Sequence, residues 1–117
     1  VTIHLNGNIN LVNGTYGLPD GLAIEDVEGL VIAGQGYALN ALGNKRCVFI
    51  SNSEVTLMNL ELTNASIDTQ GAGVYITEST VKMIKVRFTN LIASDGVSMH
   101  SNISYAVLQQ QCSLLIA

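Results

Sequence analysis

Between Cys47 and Asn64 the chain reads CVFISNSEVTLMNLELTN. Twenty-six residues on, between Gly73 and Asn90, it reads GVYITESTVKMIKVRFTN. The two stretches align without a gap. Val48, Ile50, Val55, Leu57, Leu60 and Leu62 fall on Val74, Ile76, Val81, Met83, Val86 and Phe88, so every pair is apolar. The residues between them drift: Thr56 becomes Lys82, Asn59 becomes Lys85 and Glu61 becomes Arg87. A fixed period of roughly 20–50 residues marks a stacked architecture, in which each unit buries its apolar face against its neighbours. An apolar set that is kept while the outer set changes is what one core running through successive coils would leave.

Within each unit the apolar residues come as three i, i+2 pairs. That period puts both members of a pair on one face of a strand, whereas a helix needs spacings of three and four. Short segments, Ser51–Glu54 and Met58–Asn59, separate the pairs. Each unit therefore reads as three very short strands joined by bends. Weaker copies flank the strong ones. Upstream lie Leu22, Ile24, Leu30 and Ile32, with Tyr37 and Leu39 as a third strand; downstream lie Val97, Met99, Ile103, Tyr105 and Leu108. Ile3, Leu5, Ile9 and Leu11 precede them all. Three strands and about 26 residues per turn describe an all-β fold, a right-handed parallel β-helix. Four to five coils are expected, forming one domain over residues 1–117. At a strand spacing of about 4.8 Å the stack would stand about 20 Å tall. A leucine-rich solenoid is the rival. LMNLELTN gives LxxLxL, but the asparagine arrives one residue early, and NASIDTQGA is poor in helix formers.

The run GLVIAGQGYAL, followed by repeats of the form VxI…VxLxxLxLxN, resembles the pectin-lyase-like right-handed β-helix superfamily over most of the chain. The resemblance implies an internal asparagine ladder at the sharp bend after the third strand, the place that Asn64 and Asn90 occupy. An inward amide there would bond its neighbours above and below. The superfamily's enzymes are polysaccharide lyases, galacturonases and epimerases. Its hydrolases resemble one another in clustered aspartates, a G-H-G element and an R-I-K element. Its lyases hold calcium on several acidic residues beside an arginine or lysine base. The sequence matches none of these sets. No catalytic residue, metal or cofactor is carried over, and the chain is expected to be non-catalytic.

Stacking also says which outer residues are neighbours. Phe49 and Tyr75 share a column, with Ala23 below and Ser98 above; exposed aromatics there could stack on sugar rings, or simply pack across strands. Lys82, Lys85 and Arg87 alternate with apolar residues, a small basic face suited to an acidic sugar polymer. Glu61 lies under Arg87 and could pair with it. Glu25, Ser51, Thr77 and His100 form another column, and Asp26, Asn52, Glu78 and Ser101 the next. These are the one place where carboxylates and a histidine could gather for acid–base work. Glu25 and Glu78 would stand two coils apart, about 10 Å. Glycoside cleavage uses carboxylates about 5–9.5 Å apart, so a solvated turn edge is expected.

The net charge of -4 argues against nucleic acid as a partner. The lack of any long apolar run argues against direct membrane insertion. Three N-x-S/T sequons, at Asn13, Asn64 and Asn102, point to a secreted protein; Asn64 cannot serve both an inward ladder and a glycan. Cys47 and Cys112 lack metal-ligand spacing and read as one disulfide or two buried thiols. The chain opens at Val1 without a leader-like stretch, and reads as processed or as part of something longer. VTIHL and SLLIA, apolar at both ends, predict further β-helix coils or stacked protein partners there. The expectation is an extracellular or cell-surface scaffold or adhesion module. The alternative is a glycan-binding module, or a fragment of a polysaccharide-active enzyme.

Overall fold

The computed structural model describes residues 1–11, 20–67 and 71–93, with the backbone alone at Asp20, together with the backbone of 99–102, 105–108 and 114–116. The strands, in chain order, are β1 (Thr2–His4), β2 (Ile9–Asn10), β3 (Asp20–Glu25), β4 (Leu30–Ala33), β5 (Ala38–Asn40) and β6 (Arg46–Ser51). They continue with β7 (Glu54–Ser66), β8 (Val74–Thr77), β9 (Thr80–Ile92), β10 (Met99–Asn102), β11 (Tyr105–Leu108) and β12 (Leu114–Ile116). The described residues contain no helix. Their pairings are parallel, as they must be when the chain winds repeatedly in one sense.

The result is an all-β, parallel β-solenoid of about three turns: β3–β5, β6–β7 and β8–β9. One wall stacks β3, β6, β8 and β10; the other is built on β4, β7, β9 and β11, with β5 beside β7 and β12 beside β9. The expected four to five coils counted the end strands as coils of their own. Instead β1 and β2 pair onto β4 and β5, and β10–β12 pair onto β8 and β9, as rungs flanking the three turns.

The apolar columns form as the repeat requires. Ile24, Ile50 and Ile76 stand opposite one another, as do Leu22, Val48 and Val74, and Leu30, Val55 and Val81. Ile32, Leu57 and Met83 make a further column, and Leu39, Leu62 and Phe88 another. Val48, Ile50, Leu57, Leu62, Val74, Ile76, Val81 and Val86 have no measurable exposure. Each such side chain contributes about 1.5–3 kcal/mol relative to solvent.

What look in sequence like separate second and third strands are single 13-residue strands, β7 and β9, each bent at two residues. The bends are left-handed backbone positions: Asn59 (φ 52) and Lys85 (φ 55), and again Asn64 (φ 57) and Asn90 (φ 52). Asp26, Asn52 and Glu78 take the same conformation at the turn between the two walls. All nine non-glycine residues with positive φ among the described residues are exposed. A left-handed residue at a convex corner turns the chain and sends its side chain outward.

Two stretches depart from the sequence reading. Tyr37 does not take the core place opposite Leu60; it is 38% exposed. Ile32 and Leu39 are seven residues apart, whereas Leu57–Leu62 and Met83–Phe88 are five apart, so Gly34-Gln35-Gly36 bulges outward and carries Tyr37 with it. In the last rung, Met99 pairs with Val74 and His100 with Tyr75. The spacing had put Val97 and Ser98 there. A two-residue slip keeps the same side chains facing inward, so alternation alone cannot distinguish the two registers. In β11 the slip is three: Ala106 stands opposite Val81 and Leu108 opposite Met83, where the spacing puts Ile103 and Tyr105, an odd slip that exchanges the inward and outward registers.

Candidate functional site

Two turn edges carry most of the polar chemistry. At the first, after β3, β6 and β8, the chain buries serines. Ser53 Oγ accepts the Val27 amide at 3.1 Å and donates to Ser51 O at 2.7 Å. Ser79 repeats the pattern one rung on, accepting the Ser53 amide at 2.9 Å and donating to Thr77 O at 2.8 Å. Ser53 is 7% and Ser79 6% exposed. This is a buried hydroxyl ladder, and it satisfies amides that the turn would otherwise leave without partners. The sequence carried a signal for it: Ser53 and Ser79 are identical across a repeat whose other polar positions mostly drift.

Asn64 and Asn90 do not form the expected inward ladder. Both are exposed at left-handed corners. On the outer surface Asn64 Nδ2 donates to Asn40 Oδ1 of the preceding rung at 3.2 Å, and the same oxygen accepts the Leu42 amide at 2.8 Å. Of the sequons, Asn64 is on the surface, Asn13 lies outside the described residues, and Asn102 belongs to β10, described by its backbone.

Phe49 and Tyr75 do share a column. Their rings stack at 5.6 Å between centroids with planes 15° apart, and the Arg46 guanidinium lies 4.8 Å from the Tyr75 centroid. Arg46 is itself buried, with Nε donating to Gly71 O at 2.9 Å. Stacking between successive rungs turns the facing ring surfaces toward each other and the edges toward solvent. Such contacts contribute about 0.5–1.5 kcal/mol for the ring pair and about 0.5–2 kcal/mol for the cation. The facing surfaces are thereby taken up by packing between rungs.

Lys82, Lys85 and Arg87 are exposed along β9. Arg87 pairs with Glu61 across the rung at 3.6 Å, as the alignment indicated. Glu61 also accepts from Thr89 Oγ1 at 2.8 Å; with that single proton committed, the Thr63 hydroxyl donates to Thr89 Oγ1 at 2.7 Å. Lys82 borders a shallow groove of about 200 Å³ with Glu54, Thr56 and Thr80.

The carboxylate edge is thinner than the sequence columns suggested. Glu25, Ser51 and Thr77 stand in register, but Asn102 and not His100 follows them. In the neighbouring column Asn52 Nδ2 donates to Asp26 Oδ1 at 2.8 Å. Among the described residues no group of three His, Cys, Asp or Glu side chains could hold a metal ion.

Sequence reasoning missed the most buried cation. Lys45 is 1% exposed; its Nζ donates to Ala41 O at 3.1 Å and to Asn44 Oδ1 at 2.5 Å. Nothing in the run Asn44–Cys47 distinguishes it from a solvated lysine, and lysine is rarely buried. Two residues on, Cys47 is a buried free thiol, pushed up to about 12 chiefly by burial. Cys112 lies outside the described residues.

No known family model, curated protein or solved structure matches this chain. The fold and its surface carry the functional reading.

Proposed function

We propose that the chain is a non-catalytic β-solenoid module, extracellular or on the cell surface, acting as a scaffold or adhesion element. In the same proposal its coil is right-handed and of the pectin-lyase-like kind. The observation that carries this reading is where the repeat keeps its polar groups. Ser53 and Ser79, Thr63 and Thr89 recur at matched positions, and each is bonded within or between rungs. The outward positions that a substrate would meet change from turn to turn, as Thr56 to Lys82 and Glu61 to Arg87. Retained chemistry serves the stack, and the surface is left free to vary.

The described end beside β1 supports a stacking role. Val1 is 91%, Ile3 47% and Ile9 39% exposed, and a cavity of about 210 Å³ there is lined wholly by aliphatic side chains. In this reading a further parallel coil covers that end. Sedimentation of the isolated 117 residues tests it: association or instability is expected, and a stable monomer contradicts it. Incubation with acidic polysaccharides tests the non-catalytic reading. Unchanged polymer is expected; chain cleavage or unsaturated ends would refute it.

A glycan-binding role is the second reading. Lys82 and Lys85 favour it, being exposed cations with a groove beside the first.

A further inference from the structure

We infer that the corner formed by Gln35 and Tyr37 with His4 and Asn6 is a binding site for an uncharged pyranose ring. The starting point is the two-residue insertion in the first turn. Repeat folds vary by insertion on their working face, because the core columns tolerate nothing else. Here the insertion is built to hold one shape. The Gly34 amide donates to Met58 O at 2.8 Å, the Gly36 amide to Asn59 O at 2.8 Å and the Tyr37 amide to Gly34 O at 2.9 Å. Gly34 lies so close to turn two that a Cβ would fall 2.8 Å from Leu60 Cα, and Gly36 has φ +83. Between them Gln35 is held at φ 57, a conformation that glutamine adopts at a cost. In that conformation its amide reaches the preceding rung, where Gln35 Nε2 and His4 Nδ1 are hydrogen-bonded at 3.1 Å.

The resulting cleft is open and about 570 Å³, lined by His4, Leu5, Asn6, Gln35 and Tyr37. Its chemistry selects the ligand. No Asp, Glu, Lys or Arg side chain lines it, so a carboxylate, phosphate or amine would find no fixed counter-charge there. Its side chains are instead amides, an imidazole and a phenol, which offer donors and acceptors together. Tyr37 adds an exposed aromatic ring. Vicinal hydroxyls on a ring with an apolar face match that set, and an open cleft admits one residue of a longer polymer.

The test is titration of the isotopically labelled 117-residue protein with cello-, manno- and xylo-oligosaccharides, and with oligogalacturonate as the charged comparator. At least one neutral series is expected to shift the amides of Gln35, Gly36 and Tyr37. Tyr37→Ala should weaken that binding at least tenfold, and Tyr75→Ala should leave it unchanged. Gln35→Gly separates site from fold: relief of the left-handed backbone should raise the thermal midpoint while binding falls at least tenfold. The inference is overturned if no neutral series moves these amides. It is equally overturned if oligogalacturonate binds there more tightly, or if Tyr37→Ala or Gln35→Gly leaves affinity unchanged.

Discussion

Replacing Ser79 with alanine should show how much the buried ladder contributes. The hydroxyl accepts the Ser53 amide and donates to Thr77 O. Thr77 O keeps a second donor, the Asn52 amide at 3.1 Å, so its loss is small. The Ser53 amide is buried and has no such reserve; an orphaned buried donor costs about 1–3 kcal/mol. With an unfolding entropy of about 2.1 cal/mol/K per residue, the midpoint of a chain this size should fall by about 4–12 °C. Circular dichroism during thermal and urea unfolding reads this directly. Ser51→Ala is the control: that side chain faces outward two residues before Ser53, and its loss should stay within about 0.5 kcal/mol. If Ser79→Ala proved no more harmful than Ser51→Ala, the hydroxyls would be passengers in the turn and the ladder would have no energetic standing.

Further substitutions probe the corners and the core. Gly34→Ala should destabilise by about 1–3 kcal/mol, because a Cβ there collides with the Asn59 carbonyl and Leu60; Gly7→Ala, with nothing within 4 Å, should be neutral in the same urea titration. Lys85→Asn should stabilise by about 0.5–1 kcal/mol, since asparagine tolerates φ 55 better than lysine; a lower urea midpoint would contradict that. Cys47 makes a pH prediction. Burial raises its thiol from the ordinary 9.0 to about 12 in the folded chain. Below pH 9 both states keep the proton, and above it only the unfolded chain releases it readily. Stability is therefore lost as pH rises from 9 toward 12, by about 1.4 kcal/mol at pH 10. Cys47→Ala should lack this loss, so its stability deficit should narrow between pH 8 and 10; a constant deficit would refute the buried-thiol assignment.

The aliphatic columns were legible because two units repeat without a gap, and inward positions such as Ile50 and Ile76 cannot change polarity without opening the core. The ladder was misplaced for a physical reason. Asn64 and Asn90 mark a bend, but an asparagine at a bend can face either way. Only the left-handed backbone, shared by all nine corners, sends it outward. Ser53 and Ser79 held the information, as identical polar residues in a drifting surface. Tyr37 was misjudged because a two-residue insertion preserves alternation while moving the side chain off the core. In β10 the register was misjudged because a slip of two, from Val97 to Met99, preserves the same face; in β11 the further one-residue slip inverts it. Lys45 could not have been found, since its burial depends on the carbonyl of Ala41 and the amide of Asn44 closing around it.

Methyl and aromatic nuclear Overhauser contacts in the labelled protein test the stacking itself. The account predicts contacts at a constant separation of 26 residues: Val48 with Val74, Ile50 with Ile76, Leu57 with Met83 and Leu62 with Phe88. Contacts that instead pair Ile50 with residues at scattered separations, or in an antiparallel order, would contradict it.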